Sequence, residues 1–263
     1  MTAAYRAAVV DLDGTVLSGE SLLPGAADGL RALRDRVERI LFVTNNPTRS
    51  PEAYAEHLRD MGVEATPDEI LTSCDATIAY LRAHHADDAL FAIAEESVTS
   101  QFENANLDLV EDPTASDAVV VGYDRGFGYD DMTAAIRAFD AGATGFVGTD
   151  PDHTVPSPDG PVPGSGALVH AVSGVVDRDP DAILGKPSAE TADIALDRLG
   201  VNPGACLMVG DRLNTDVAFG DAVGMTTVLV RTGIATDADL ADSDVAPDYV
   251  LDGLRDIAAV LSD

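Results

Sequence analysis

Short apolar runs that end in polar or glycine-containing loops are the feature that most constrains the fold of this chain. Four such runs, each containing valine, cover residues 7–10, 40–43, 206–209 and 227–230. Segments with the residue spacing of amphipathic helices lie at 26–36, 51–61, 188–199 and 215–223. Strands that alternate with helices are typical of an α/β fold with a mainly parallel sheet. We therefore expect functional residues directly after the carboxyl ends of the strands.

The middle of the chain carries strand and helix signals of its own. Runs typical of strands lie at 90–94, 118–121 and 145–148, and helical spacing occurs at 131–139 and 165–175. These signals are sufficient for a second α/β unit inserted into the first. We therefore predict a core domain formed by residues 1–75 and 183–263, and an inserted α/β domain at 76–182.

The charge balance limits the classes of partner. The chain has 46 Asp and Glu residues against 16 Lys and Arg residues, a formal net charge of −30. Nucleic acids and anionic membranes are polyanions, so the electric field of this protein opposes both as main partners. An acidic surface of this kind is typical of a protein adapted to a high-salt cytosol, because salt screens the repulsion between its charges. We therefore predict a halophilic protein.

Lysine is almost absent, although arginine is not. Of the 16 basic residues, 15 are arginine and the other is Lys186. A lysine that remains where nearly all others are missing is predicted to have a role other than solubility.

The sequence shows no sign of export or of membrane insertion. It has no stretch of about 18 apolar residues and no apolar leader at its start. Cys74 and Cys206 lie far apart, without the spacing of a metal site, which predicts buried thiols. We expect a cytoplasmic protein.

Charged and polar residues follow the predicted strands in a specific order. Asp11 and Asp13 come directly after the first run, where Gly14 allows a sharp turn of the backbone. An Asp-Gly pair is also a common turn, so this segment alone leaves both interpretations open. Thr44 and Asn45 follow the second run and offer uncharged hydrogen-bond donors, although a turn or a helix cap uses the same residue types.

Two further segments of this kind lie towards the end of the chain. Lys186 stands between a glycine and a proline, and Asp211 and Asp216 follow the apolar run 206–209. A carboxylate at the end of a buried strand suits Mg²⁺, which takes one or two protein carboxylates together with substrate oxygens.

In this order, the four segments resemble the four motifs of the haloacid dehalogenase superfamily. Further segments resemble its NagD-like members, the 4-nitrophenylphosphatases and phosphoglycolate phosphatases with a type-two cap. They are Val121-Gly122-Tyr123-Asp124, Phe127, Tyr129, Met132, Gly142-Ala143, Phe146, Thr149-Asp150-Pro151-Asp152, Pro163-Gly164-Ser165-Gly166 and Gly185-Lys186-Pro187-Ser188. The resemblance runs from Val9 to about Gly233.

This resemblance implies a Rossmann-like core with an inserted α/β cap domain, and Mg²⁺-dependent hydrolysis of phosphate monoesters. It implies that Asp11 is the nucleophile and that Asp13 is the general acid and base. Thr44, Asn45 and Lys186 are the expected phosphate-binding residues.

The same resemblance implies a metal site. The residues expected around Mg²⁺ are Asp11, Asp13 through its backbone carbonyl, Asp211, and Asp216 beside the direct ligands.

The predicted cap leaves the substrate open. Asp150 stands where relatives often have asparagine. His153 is either a substrate contact or a solvated loop residue. Phosphoglycolate, sugar phosphates, glycerol phosphate and nucleoside monophosphates all remain candidate substrates. Relatives commonly associate through the cap, so we expect a homodimer.

Three alternatives to phosphate hydrolysis are compatible with part of this motif set. A phosphotransferase and a non-catalytic protein that binds phosphometabolites would both keep the same pocket. A dehalogenase is disfavoured, because dehalogenases of this superfamily do not normally keep the second aspartate, here Asp13.

Overall fold

The computed structural model describes residues 5–157 and 159–262. The first four residues and Asp263, which belong to the predicted core domain, and Pro158 of the predicted cap lie outside the described residues. The strands are β1 (Ala7–Val10), β2 (Leu17–Ser18), β3 (Ser21–Leu22), β4 (Arg39–Thr44), β5 (Ile70–Thr72), β6 (Leu90–Ile93), β7 (Ala118–Val121), β8 (Gly145–Gly148), β9 (Thr154–Val155), β10 (Val162–Pro163), β11 (Ala182–Ile183), β12 (Cys206–Gly210), β13 (Thr226–Val230) and β14 (Tyr249–Leu251).

The α-helices are α1 (Ala26–Arg34), α2 (Pro51–Asp60), α3 (Ser73–His84), α4 (Glu96–Asn104), α5 (Tyr129–Ala141), α6 (Ser165–Val176), α7 (Ala189–Leu199), α8 (Ala218–Val223) and α9 (Asp237–Asp242). Stretches of 3₁₀-helix cover Pro67–Glu69, Pro113–Ala115, Pro203–Ala205 and Leu254–Ser262. The chain divides into two compact units. The first comprises Met1–Thr44, Pro51–Leu71 and Lys186–Asp263, and the second comprises Asn45–Ser50 and Thr72–Gly185.

The first unit is built on β1, which lies in a six-stranded sheet of order β14-β13-β12-β1-β4-β5. β1 pairs in parallel with β12 on one side and with β4 on the other. All four residues of β1 are buried, because helices cover both faces of such a sheet. This explains why β1 is a continuous apolar run rather than an alternating one.

The second unit has its own parallel sheet, of order β11-β8-β7-β6. Its core packs Phe146 of β8 and Val119 of β7 against Val169 of α6 and Ala138 of α5. The predicted α/β class, with parallel sheets, is confirmed. The predicted domain bounds, with a core at residues 1–75 and 183–263 and a cap at residues 76–182, stay a prediction.

Local structure differs from the predicted elements at several places. The predicted helix 215–223 begins as a π-helical turn, Leu213–Val217, and only Ala218–Val223 is α-helical. The Asp216 side chain accepts two backbone N–H groups at the start of this turn, and such π-turns are frequent at functional sites.

The sequence prediction also omitted short strands at the ends of the large sheet. β5 and β14 have only three residues each, too few for a clear periodic signal. Cys74 and Cys206 are buried free thiols, as predicted. Among the described residues, no helix combines the length and the apolar character needed to cross a membrane.

Candidate active site

Asp11 lies at the carboxyl end of β1, in the middle of the large sheet. Its backbone N–H donates to Val209 O of β12 at 2.9 Å, so the strand pairing carries the residue to the sheet edge. Asp11 is only 6% exposed, and Asp13 is half-buried. The chain turns at Gly14, which has φ +95° and approaches Asp211 so closely that a Cβ would lie 2.5 Å from Asp211 Oδ2. Glycine is therefore required here by both conformation and space.

Lys186 is buried, with 2% exposure, and lies between two carboxylates. Its Nζ is 2.5 Å from Asp11 Oδ1 and 2.7 Å from Asp216 Oδ1. Burial by itself lowers the pKa of an ammonium, but the charges of Asp11 and Asp216 outweigh this effect and hold the pKa of Lys186 above its ordinary value. The ammonium therefore stays charged, and the two residues that flank it are both aspartates proposed from the sequence.

Two carboxyl groups of this site, those of Asp11 and Asp211, have raised pKa values and are harder to ionise than free ones. Burial raises the pKa of Asp11 well above its usual value; Lys186 lowers it, whereas Asp216 and Asp211 raise it further. Burial, followed by the charge of Asp216, raises the pKa of Asp211 to about 6. One ammonium does not offset three neighbouring carboxylates, so the site has an excess of negative charge.

Asp211 and Asp216 follow β12, on the neighbour of β1. Asp216 Oδ2 accepts the backbone N–H groups of Asp211 and Arg212, each at 3.0 Å. Asp211 Oδ2 accepts the backbone N–H of Ile234 at 2.8 Å. One oxygen of each carboxylate is thus fixed by the backbone of the first unit.

The structure brings Asp11, Asp211 and Asp216 together. A ligand atom from each lies within 4.8 Å of the other two, and all three residues are buried. Asp11 Oδ2, Asp211 Oδ1 and Asp216 Oδ1 are buried and accept no hydrogen bond from the described part of the chain, but Asp216 Oδ1 forms an ion pair with Lys186 Nζ at 2.7 Å. Orphaned carboxylate oxygens at this spacing suit a hard divalent cation such as Mg²⁺. The Asp13 carboxylate does not belong to this cluster; the sequence prediction for Asp13 concerned its backbone carbonyl.

Thr44 and Asn45 lie at the end of β4, where the chain passes from one unit to the other. Thr44 is 2% exposed and closes the strand in the first unit. Asn45 opens the second unit, where its side-chain amide donates to Asp152 Oδ1 at 3.2 Å and its carbonyl accepts Ser73 Oγ at 2.8 Å. Asp152 therefore orients the side-chain amide of Asn45, and Ser73 fixes its backbone carbonyl.

Asp150 and His153 belong to one loop of the second unit. Asp150 is 2% exposed and accepts hydrogen bonds from Thr149 Oγ1 at 3.1 Å and from the Asp152 N–H at 3.2 Å. Burial, reinforced by the charge of Asp152, raises the pKa of Asp150 to about 7. His153 is exposed, and its ring centroid lies 4.7 Å from that of His170.

Sequence reasoning missed the segment after β13. Thr232 Oγ1 donates to Gly14 O at 2.7 Å, and Ile234 N–H binds Asp211. This segment carries no carboxylate and no lysine, so its residue types give no signal among so many charged loops. Its position after an apolar strand, like that of the other site segments, was the signal that could have identified it.

Comparison with known proteins gives two family matches. Residues 8–108 match the family described as haloacid dehalogenase-like hydrolase. Residues 183–257 match a second family, described as HAD-hydrolase-like.

Individual proteins are similar along nearly the whole chain. An acid sugar phosphatase from Staphylococcus epidermidis is 34% identical over 245 residues, which is 93% of each chain. A solved p-nitrophenyl phosphatase from Archaeoglobus fulgidus is 33% identical, with a TM-score of 0.89 and coverage of 98% of this chain and 99% of the other. NagD from Escherichia coli K-12, at 24% identity and a TM-score of 0.84, covers 97% of this chain and 98% of its own and shows the same fold.

Proposed function

The chain belongs to the haloacid dehalogenase-like hydrolase family, and we propose that it is a phosphatase that hydrolyses small phosphate monoesters through an aspartyl-phosphate on Asp11, with Mg²⁺ as its cofactor. The observation that carries the proposal is the buried Asp11 carboxylate, which Lys186 holds at 2.5 Å beside Asp211 and Asp216. Because the ammonium fixes one oxygen, the carboxylate has a defined orientation for nucleophilic attack.

Asp11 and Asp13 divide the chemistry between them. In the first step, an Asp11 oxygen bonds to phosphorus as the ester oxygen leaves, and Asp13 donates a proton to that leaving oxygen. In the second step, Asp13 takes a proton from the water that attacks phosphorus, which releases inorganic phosphate and restores Asp11. Asp13 is half-buried rather than buried, which suits a group that exchanges protons with substrate and with water.

Three further residues would bind the phosphoryl group. The Lys186 ammonium would neutralise charge on phosphate oxygens while it holds Asp11. Thr44 and Asn45 would donate hydrogen bonds to the remaining oxygens. The hydrogen bond from the Asn45 side-chain amide to Asp152 supports its part of the proposal, because an oriented amide loses less freedom when substrate binds.

The donor set also fits Mg²⁺. Asp11, Asp211 and the backbone carbonyl of Asp13 would hold the ion, which matches the orphaned oxygen Asp211 Oδ1. Asp216 would support the ligands rather than bind directly, because its oxygens face two backbone N–H groups and Lys186. When bound, Mg²⁺ supplies positive charge that offsets the anionic nucleophile and the anionic substrate.

Sugar phosphates are the substrates that we place first among the four classes. Support for this class comes from the name of the S. epidermidis relative, an acid sugar phosphatase. The name of the A. fulgidus relative, a p-nitrophenyl phosphatase, supports only the hydrolysis of phosphate monoesters in general. We assign substrate selection to the cap at residues 76–182, with His153 as a contact. We also propose that the protein is a cytoplasmic homodimer that binds neither nucleic acid nor a membrane. The net charge of −30 supports the exclusion of both partners, because each is a polyanion.

The test is hydrolysis of p-nitrophenyl phosphate at high KCl, with Mg²⁺ or with EDTA. We expect activity only with Mg²⁺, and a loss on the order of 10³-fold or more in Asp11→Asn. Asp35→Asn is the matched control, because it makes the same chemical change at an exposed residue that follows α1. Activity that survives Asp11→Asn or EDTA would contradict the proposal. An added alcohol acceptor separates hydrolysis from phosphotransfer, since transfer yields a new phosphate ester.

A further inference from the structure

The turn that follows β13, which we call the β13 turn, comprises Thr232, Gly233 and Ile234. It contacts two segments that are far away in sequence, the loop after β1 and the loop after β12. Ile234 is 53% exposed and Gly233 is exposed as well. Burial of apolar surface therefore does not explain why this turn lies where it does.

The β13 turn fixes one oxygen of Asp211. The Ile234 N–H donates to Asp211 Oδ2 at 2.8 Å, while Asp211 Oδ1 accepts no hydrogen bond from the described residues. A Cβ at position 233 would lie 1.8 Å from Asp211 Oδ2. Only glycine lets the backbone come this close, so the turn decides which carboxylate oxygen is left for a cation.

The same turn fixes the loop that carries Asp13. Thr232 Oγ1 donates to Gly14 O at 2.7 Å, and the Gly14 N–H donates to Leu17 O at 2.8 Å. Both peptide groups of Gly14 are thereby restrained, and one of them is the peptide that joins Asp13 to Gly14. A single hydroxyl thus ties the backbone next to Asp13 to the turn that orients Asp211.

We propose that Thr232 and Gly233 are positioning residues. They fix the position of the Asp13 loop relative to Asp211, and in this way they set the affinity for Mg²⁺ and the rate of phosphoryl transfer. This inference rests on the proposed function. Neither residue touches the substrate; each acts through a neighbour. Contacts that orient metal ligands in this way contribute about 10-fold to 100-fold in metal affinity or activity.

The experiment compares Thr232→Val, which keeps the shape and removes the hydroxyl, with Thr232→Ser, which keeps the hydroxyl. Mg²⁺ alone is titrated by calorimetry into protein treated with EDTA, with no substrate present. We expect the dissociation constant to rise about 10-fold in Thr232→Val and to stay near that of the parent protein in Thr232→Ser. At saturating Mg²⁺, kcat on p-nitrophenyl phosphate should fall in Thr232→Val while KM changes little.

Gly233→Ala provides a second, steric test. Its Cβ would displace Asp211, so we expect Mg²⁺ binding to weaken by about 100-fold. Gly174→Ala is the matched control, because a Cβ on this exposed glycine of α6 meets no atom within 4 Å. Circular dichroism of each variant verifies that it is folded.

The outcomes separate this inference from the proposed function. Thr232→Val with unchanged Mg²⁺ binding and kcat, or Thr232→Ser as impaired as Thr232→Val, overturns the positioning role. So does a parent protein that binds no Mg²⁺. If the hydroxyl-dependent difference in Mg²⁺ binding is present but no phosphate ester is hydrolysed, the positioning role stands and the proposed function fails.

Discussion

Lys186 Nζ lies 2.7 Å from Asp216 Oδ1, and both side chains are 2% exposed. Asp216 in turn accepts the backbone N–H groups of Asp211 and Arg212. Two ion pairs therefore fix the lysine, one with Asp11 and one with Asp216 of the loop after β12. Such a fixed, desolvated ammonium is expected to act more strongly on developing charge than one in water.

Lys186→Met should lower kcat by at least about 100-fold, because it removes a preorganised charge from the site and leaves two carboxylates facing each other. Steady-state hydrolysis of p-nitrophenyl phosphate measures this. Arg6→Ala, which removes one positive charge at an exposed ion pair with Glu38, should keep normal activity. Near-normal turnover in Lys186→Met would show that the lysine has no part in catalysis.

Asp13→Asn should slow the hydrolysis of alkyl phosphates more than the hydrolysis of p-nitrophenyl phosphate. An alkoxide needs a proton as it leaves, whereas p-nitrophenolate is a stable anion, so the first step tolerates the loss of the acid only for the aryl ester. We expect the ratio of the two kcat/KM values to change by about 10-fold or more. Equal losses on a sugar phosphate and on the aryl ester would argue against Asp13 as the general acid.

Mg²⁺ binding should weaken at acid pH. The pKa of Asp211 is raised to about 6 in the metal-free protein, so a proton occupies this ligand below that pH and must be displaced. We expect affinity to fall by up to about 10-fold for each pH unit below about 6. Calorimetry in two buffers of different ionisation enthalpy detects the released proton. Affinity that is constant between about pH 5 and pH 7 would contradict the raised pKa.

Asp150→Asn should stabilise the protein at alkaline pH. The pKa of Asp150 is raised from 3.8 to about 7, so the folded state keeps its proton between these values while the unfolded chain releases it. The free energy of unfolding therefore falls as pH rises through this window, and the loss is complete above about pH 7. We expect the variant to gain about 2 kcal/mol at pH 8, because an amide at this position carries no buried charge.

Thermal unfolding of Asp150→Asn and of the parent protein across this pH range measures the effect. The gain should shrink towards about pH 4, where the carboxyl is protonated in both states. Asp35→Asn, at an exposed position, is the control for loss of one negative charge. A gain that does not depend on pH would show that the carboxylate of Asp150 carries no buried-charge penalty.

Salt should stabilise the fold. With a net charge of −30, the negative charges on the surface repel one another. Raising KCl from about 0.1 M to about 2 M shortens the screening length from about 10 Å to a few ångströms and so weakens this repulsion. We therefore expect the unfolding temperature to rise with KCl, as measured by calorimetry. Charge-reversed surface variants, such as Asp35→Lys, should need less salt. An unfolding temperature that falls with KCl would contradict this account.

The sequence was sufficient for the parts of the fold that are local in character. Continuous apolar runs predicted β1, β4, β12 and β13, because a strand covered on both faces must be apolar throughout. The order of the polar segments after those strands carried the family resemblance, which the comparisons confirm. Edge strands such as β5 and β14 escaped prediction, since three residues do not establish a period.

The sequence alone determined which residue types stand at the ends of strands. It also determined that Lys186 is the single lysine of a chain with 46 acidic residues. Only the tertiary structure decided which carboxylates meet, because Asp11 and Lys186 are 175 positions apart and Gly14 and Thr232 are 218 apart. Distances across the chain depend on strand order, and burial depends on everything that packs around a group. For that reason Asp150 reads in the sequence as one aspartate among many, while its burial in the fold raises its pKa to about 7.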